Sequence, residues 1–328
     1  MTAAPAISVV VLAYESGATL ERCLQALRVQ TFRDFEVVLA DNGSGDGAAQ
    51  AAAGADPTLV FVDNRANLGF AEGCNRAAER ATGRWLAFLN PDAFPEPDWL
   101  ERLHAATVRR PEDRCFTSLQ IADDDPRLLD GAGDAMSAVG LPWRAGHRRP
   151  RPSTIAEGEV FSPCGAAMLI ERATFERLGG FEPGFFCYCE DVDLGFRLRL
   201  TGGRTVLVPN AIVRHVGSAT LGARSEIALF HGTRNRAWTW IRCAPPWLLI
   251  GTIAVHALAT LLLWALAPAR ERGVIGRALN AAWAGRRTVW EARERVQKTR
   301  TVSTLTIWHA LNPDPLAAIR RALDVRPL

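Results

Sequence analysis

The chain has little lysine and no paired cysteines. Lys298 is the only lysine among 328 residues, and the seven cysteines (23, 74, 115, 164, 187, 189, 243) include no CxxC pair. Scattered and odd in number, they speak against a disulfide framework or a structural zinc site and for a reducing compartment. As single residues they suit small positions in a core. No GxGxxG follows the first apolar run, which argues against a dinucleotide-dependent dehydrogenase. No GxxxxGK[ST] occurs either, which removes a P-loop ATPase. A net charge of +3 gives no general argument for nucleic acid. The opening MTAAPAISVVVLAY lacks a basic segment ahead of its apolar run and reads as a strand, not as a signal peptide.

What is present describes a globular protein, with 48% hydrophobic and 22% charged residues. Charge is uneven. From Pro268 to Leu328 there are 12 Lys+Arg against 5 Asp+Glu, a basic tail on a balanced body, which suits an anionic surface.

Ile7–Ala13 (ISVVVLA) and Phe35–Ala40 (FEVVLA) are runs suited to strands buried on both faces of a parallel sheet. Leu20, Cys23, Leu24 and Leu27 lie between them at helical spacing. Leu59–Val62 reads as a third strand, Ala71–Ala81 as a helix, and Arg84–Leu89 (RWLAFL) as a fourth strand. This alternation predicts βαβ units, a mostly parallel central sheet, and ligands at the carboxyl ends of the strands. Tyr14, Asp41, Asn64, Asn67, Asn90 and Asp92 all follow predicted strands and share that edge. From Cys115 to Glu159 the pattern weakens into acidic, glycine-rich and basic stretches that read as excursions and a mobile loop. Order resumes at Val160–Ile170 and Arg204–Pro209.

Trp247–Ala267 is apolar over 21 residues, interrupted by threonine and one histidine, and is long enough to span a bilayer. The alternative is a buried core helix. Arginines on both flanks oppose a single span and favour a helix or hairpin dipping into one anionic leaflet. The expected division is 1–240 as the α/β domain and 241–328 as a helical, apolar then arginine-rich, membrane-associated region.

DNGSGDG places Asp41 where a ribose or base can be hydrogen-bonded, or where an Asx-turn merely closes a loop. NRANLGFAEGCN offers Asn67, Gly69 and Asn75 at a loop-to-helix junction that favours phosphate, or simply a helix cap. In LNPDA, Asp92 sits on a strand end, where a hard cation such as Mg2+ or Mn2+ takes one or two carboxylates and completes its shell with diphosphate oxygens. FCYCEDVDLGFR gathers Glu190, Asp191 and Asp193 between aromatic residues.

VVVLAY, DNGSGDG, NRANLGFAEGCN, FLNPDA, CGAAMLI, GGFEPGFFCYCEDVDLGFRLRLTGG and RHVGSAT follow the order found in inverting family 2 glycosyltransferases. Over residues 5–240 the chain resembles their rhamnosyltransferase-like branch. The resemblance implies a GT-A fold, a nucleotide-sugar-binding α/β domain. It implies that Ala13, Tyr14, Glu15 and Asp41 bind the nucleoside, with Asn67, Gly69, Asn75 and Asn90 also on the nucleotide-sugar side. Asp92 matches the last acid of the family's DxD-type metal motif, whose first position is Asn90 here. His215 matches a histidine that completes the metal shell in some relatives, Asp191 the catalytic base, and Arg234 and Asn235 an RN motif assigned to the nucleotide-sugar side. The QxxRW signature of processive synthases is missing, which favours transfer of one or a few sugars.

The expected reaction moves a sugar, with dTDP-L-rhamnose as first donor and a UDP-sugar as second, to a hydroxyl of a lipid-linked or cell-surface glycan. It takes place at the cytoplasmic face of the plasma membrane, on a peripheral or monotopic enzyme. A divalent cation neutralises the leaving diphosphate, and Asp191 is the base. Burial among Phe186, Tyr188 and Phe196 and repulsion from Glu190 and Asp193 are expected to raise its pKa. Glu190 is assigned to acceptor binding or orientation. Asp193 is assigned to a helix ion pair with Arg197 at i,i+4. The rival readings are an inactive nucleotide-sugar-binding membrane scaffold and a sugar nucleotidyltransferase. Nucleic-acid binding by the tail is set aside, because its arginines are interleaved with tryptophan and leucine.

Overall fold

The computed structural model describes residues 4–217 and 225–328. Positions 218–220 of the RHVGSAT stretch lie outside the described residues. The chain begins with strand β1 (Ile7–Ala13), helix α1 (Gly17–Arg28), β2 (Phe35–Asp41), α2 (Ala48–Ala55), β3 (Val60–Asp63), α3 (Gly69–Ala78) and β4 (Trp85–Leu89). The β-branched run of β1 explains its central place. Ile7, Val9, Val11 and Ala13 face one core with Leu20, Cys23, Leu24 and Leu27 of α1. Val10 and Leu12 face the other, with Ala71, Cys74 and Ala77 of α3. Both faces of the strand are therefore covered by helices, as a parallel strand requires.

Next come β5 (Ala93–Pro95), α4 (Trp99–Arg109), β6 (Cys115–Ala122), β7 (Leu129–Gly131), β8 (Asp134–Met136), β9 (Pro142–Arg144), β10 (Gly158–Val160), β11 (Ala167–Glu171), α5 (Arg172–Leu178), α6 (Glu190–Leu200) and β12 (Thr205–His215). The ten-stranded sheet has the main order β10-β12-β6-β11-β4-β1-β2-β3. β3, β2, β1 and β4 are mutually parallel, β11 is antiparallel to its neighbours β4 and β6, and β12 is parallel to β6. The mostly parallel α/β sheet is thus present. β1, β2, β4, β6 and β12 end at one edge. β11 begins there, because Ala167 pairs with Leu89.

Four parts depart from the sequence expectations. Cys115–Ala122, expected to be irregular, is a fully buried central strand. Its polar residues are paired internally: Ser118 accepts a bond from Trp99 Nε1 at 2.8 Å, and Thr117 one from the Cys164 amide at 3.2 Å. Val160–Ile170 is divided between β10 and β11. The strand expected to stop at Pro209 continues to His215 past an irregularity between Val208 and Ile212, which accommodates the proline. The 123–159 stretch is folded, with β8 and β9 forming a separate hairpin sheet.

The remaining helices are α7 (Glu226–Cys243), α8 (Pro246–Leu266), α9 (Ala269–Ala284), α10 (Arg286–Lys298), α11 (Thr304–Ala310) and α12 (Ala317–Arg320). The expected boundary at 240 falls inside α7. Beyond it, Leu248, Val296 and Ile307 share one core with Phe196 and Leu200 of α6. The tail also returns to the body: Trp143 Nε1 donates to the Ala322 carbonyl at 2.9 Å, and Arg326 bridges Glu159. Helix α8 is long and apolar enough to cross a membrane, with only 28% of its most apolar window buried. Leu248, Leu249, His256 and Thr260 pack inward, while Trp247 is 78% and Leu266 82% exposed. The buried-core alternative does not describe this helix.

Candidate active site

The edge where the strands end carries Asn90, Asp92, His215 and Asp191. β4 places Asn90 and Asp92, and β12 places His215 beside them. His215 Nε2 lies 3.2 Å from Asp92 Oδ1 and 3.5 Å from Asn90 Nδ2. Behind it, His215 Nδ1 lies 2.7 Å from Asp130 Oδ2. Burial opposes charging of this imidazole, but its bonds to Asp130 and Asp92 and their negative charge prevail, and its pKa rises to about 9. Asn90 Oδ1 is buried without a hydrogen-bond partner among the described residues. A carboxylate, an imidazole and a free amide oxygen are a donor set that fits Mg2+ or Mn2+.

Asp191 stands in the first turn of α6. Its Oδ2 accepts from the Gly165 amide at 2.7 Å and its Oδ1 from the Val192 amide at 2.8 Å. Burial raises its pKa above the ordinary aspartate value, and the Gly165 bond, the Arg144 charge and the Val192 bond oppose that rise. Glu190 is more deeply buried, with Oε2 unpartnered among the described residues. Burial first, and then the Asp191 charge, push its pKa well above the usual carboxylate range. Both carboxylates are favoured by their own backbone amide, and Asp191 has the Gly165 and Val192 amides as well. Asp193 is fully buried, 2.6 Å from Arg197 Nε and 3.2 Å from Arg242 Nη1. Against the cost of burial, those two charges lower its pKa. The expected i,i+4 pair is present, in the interior instead of on a solvated face.

The turn into α6 is strained. Phe186, Tyr188 and Cys189 have φ of 64°, 69° and 67°, each an arrangement costing of order 1–3 kcal/mol for a residue other than glycine. Asn235 counters this: its Nδ2 donates to the carbonyls of Phe185, Cys187 and Tyr188 at 2.8–2.9 Å. Arg234 Nη2 adds bonds to the Gly184 and Phe185 carbonyls. Asn235 is fully buried. The RN pair therefore holds the acidic turn in place, and Asn235 offers no surface to a nucleotide. Asn75 does similar work, clasping Phe181 through both its N–H and its carbonyl. A Cβ on Gly69 would come within 2.4 Å of the Phe186 carbonyl, so only glycine allows the acidic turn to lie this close. The Ala71 amide donates to that same carbonyl and Asn67 Oδ1 accepts from the Gly69 amide. The start of α3 is thereby closed by protein instead of left open to phosphate.

At the far end of the edge, Asp41 is buried and takes up the Asx-turn role. It accepts from the Ser44 amide at 3.0 Å and from Gln50 Nε2. Glu15, just beyond Ala13 and Tyr14, is exposed and accepts from the Gly45 amide at 2.7 Å. The two loops that follow β1 and β2 are thus tied into one rim. The cysteines are free. Burial pushes the Cys187 thiol up to about 12, so the CxC pair is packing, not redox chemistry.

Sequence reasoning passed over Asn42, which links Asn64, Asn67, Leu68 and Gly69. It also passed over Asp130, Asp134 and Arg144, which stand beside the catalytic edge. The only signal was a pair of acids flanking glycines in DGAGD.

Residues 8–179 match the model of glycosyl transferase family 2, and residues 136–311 that of glycosyl transferase family group 2. The chain is 32% identical over 284 residues to N-acetylglucosaminyl-diphospho-decaprenol L-rhamnosyltransferase of Mycobacterium tuberculosis, a match covering 76% of this chain and 91% of the relative. The chain belongs to glycosyl transferase family 2. It is a glycosyltransferase of the rhamnosyltransferase-like kind with a GT-A fold. Among solved structures it is similar to TarS from S. aureus, at TM-score 0.57 and 16% identity, covering 96% of this chain and 53% of that one. A mannosyltransferase from Pyrobaculum calidifontis in complex with GDP-Man and Mn2+ aligns at TM-score 0.53 and 17% identity, covering 93% and 88%. Family membership sets the nucleotidyltransferase and inactive-scaffold readings aside.

Proposed function

We propose that this glycosyltransferase moves L-rhamnose from dTDP-L-rhamnose to a hydroxyl of a lipid-linked glycan, with inversion at the anomeric carbon, on the cytoplasmic face of the membrane. The observation that carries the reading is the placement of Asp191. It is a partly accessible carboxylate fixed by two backbone amides, on the same sheet edge as the Asn90–Asp92–His215 cluster. The relative from M. tuberculosis, named for L-rhamnosyl transfer and a decaprenol-linked substrate, supports the sugar and the acceptor class.

Asp191 removes the proton of the acceptor hydroxyl as its oxygen bonds to the anomeric carbon and the bond to the diphosphate oxygen breaks. Asn90, Asp92 and His215 would hold a Mg2+ or Mn2+ ion, which when bound neutralises charge developing on the departing diphosphate. His215 must lose its proton to serve as a ligand, and Asp130 fixes its ring orientation. Glu190, whose carboxyl is pushed towards the neutral form by burial and by the Asp191 charge, orients the acceptor beside Asp191. The rim formed by residues 13–15 and 41–46 receives the nucleoside, and Arg234 steadies the acidic turn against the donor side. The exposed face of α8, flanked by Arg270 and Arg272, lies in the anionic leaflet and brings the lipid-linked acceptor to the edge.

The test is nucleotide release from dTDP-L-rhamnose and from UDP-sugars, with Mg2+ or Mn2+ or neither, in the presence of N-acetylglucosaminyl-diphospho-polyprenol. The expected product carries one added deoxyhexose, with its anomeric configuration inverted by NMR. If no donor is consumed with either metal, the reading fails.

A further inference from the structure

An inverting displacement aligns the attacking oxygen, the anomeric carbon and the leaving oxygen, so the transferred sugar lies between the base and the diphosphate. In this molecule that interval is bounded by the β8–β9 hairpin. Asp134 and Arg144 are directly opposite each other in its register, which puts both side chains on one face. Arg144 nevertheless turns away from its cross-strand neighbour: Nη1 donates to Asp130 Oδ2 at 2.9 Å. Asp130 is the residue that holds His215, so the guanidinium is tied to the diphosphate end. The carboxyl of Asp134 reaches the other end, with an oxygen within 4.8 Å of Asp191 and of the Cys164 sulfur.

Asp134 is only 7% exposed, yet no hydrogen bond reaches its carboxyl among the described residues. Native proteins rarely leave such a group unpaired, and where they do, an occupant from outside is a standard reason. Gln120 Nε2, whose amide oxygen faces Cys164 Sγ at 3.5 Å, is buried without a partner as well. Gly131 makes the arrangement possible, since a Cβ there would stand 2.8 Å from Arg144 Cγ. The cluster of Asp134, Cys164 and Asp191 is a poor cation site for this chemistry, because a soft thiol does not suit Mg2+ or Mn2+. Hydroxyls suit it: a carboxyl accepts their hydrogens and a guanidinium donates to their oxygens.

We propose that Asp134 and Arg144 bind the ring hydroxyls of the transferred sugar and so determine which sugar the enzyme accepts. This rests on the reading of the edge as a nucleotide-sugar site. Side chains built to bond hydroxyls reject a sugar that presents them differently, and loss of one bond relaxes that rejection.

The experiment compares wild type, Asp134→Ala and Arg144→Gln in the full chain, with Mg2+. Affinities for dTDP and dTDP-L-rhamnose are measured by calorimetry, and turnover is compared between dTDP-L-rhamnose and dTDP-D-glucose. The expected result is KM for dTDP-L-rhamnose raised about tenfold or more and a narrowed preference over dTDP-D-glucose in both variants, with dTDP affinity unchanged in Asp134→Ala. That last readout is taken on Asp134 alone, because Arg144 is bonded to Asp130 behind His215. Variants that bind and discriminate as wild type does, or an Asp134→Ala protein that loses dTDP and dTDP-L-rhamnose equally, overturn the proposal. Should Asp134→Ala not fold by thermal unfolding, the isosteric Asp134→Asn is read in the same way. If wild type binds neither dTDP nor dTDP-L-rhamnose, the nucleotide-sugar reading itself falls, and the two failures are thereby told apart.

Discussion

The catalytic edge and the outer face of α8 break opposite rules of a soluble protein. Among the described residues the edge buries polar atoms without hydrogen-bond partners, Asn90 Oδ1 and Glu190 Oε2. The α8 face does the reverse, leaving Ile250 67%, Leu258 57% and Leu262 53% exposed. Each violation is costly where nothing binds, by desolvation on one side and by wetted apolar surface on the other. Together they fit the proposed reading, in which one surface takes a hydrophilic donor and the other meets lipid. The difference also separates residues that act from residues that hold. Two positions apart on α6, Asp191 has amide partners and a raised pKa, while Asp193 has two arginines and a lowered one.

The contrast breaks most sharply at Asp191. Asp191→Asn keeps the shape of the side chain but can accept from only one of the two amides, through Oδ1, and removes the base; kcat should fall about a hundred- to ten-thousandfold with the fold intact by circular dichroism. Near-normal turnover would sink the assignment. Asp193→Ala should do the opposite, sparing no chemistry of its own but leaving Arg197 and Arg242 buried without their counter-charge. A loss of about 3–5 kcal/mol in urea unfolding is expected, and a change under about 1 kcal/mol would show that the pair is not structural.

The α8 face supplies a milder test. Replacing Leu258 and Leu262 by Gln should lower sedimentation with anionic liposomes about tenfold or more, while nucleotide release from the donor in the presence of a water-soluble acceptor stays as in wild type. Equal sedimentation of the variant would remove α8 from membrane binding. The smallest effect expected is on the pH profile. Asp191 must be ionised to accept a proton, and burial raises its pKa, so activity is lost as pH falls through a value above the roughly 3.9 of a free aspartate. An acid limb at or below that free value would mean that the base is a solvated carboxylate elsewhere.

Much of the sheet was legible because β1, β2 and β4 are continuous apolar runs, a pattern that follows from burial on both faces. β6 was not, since Thr117, Ser118 and Gln120 resemble a loop until Trp99 and Cys164 are known to lie against them. The reversed direction of β11 has no local signature, as its partners come from distant strands. Within the candidate site, Asp92 and His215 stand at strand ends and Asp191 opens a helix, and all three were marked from the motifs around them. Asp130 and Arg144 were not, because their meaning comes from His215, which lies 85 residues from Asp130 in the chain. Asn235 and Asn75 were assigned to the nucleotide-sugar, whereas their amides are spent on the backbone of the acidic turn and its approach.

The C-terminal segment, which backs the hairpin through Ala322 and bridges Glu159 through Arg326, has a practical consequence for anyone who handles this protein. Trimming the hydrophobic and basic tail is the obvious way to make it easier to purify. The cut would also remove the last layer behind the strand pair that carries Asp134 and Arg144, so a shortened enzyme could stay soluble and still misjudge its sugar. On the readings proposed above, sugar selection and membrane contact both depend on the C-terminal helices, and neither is safely removed to study the other.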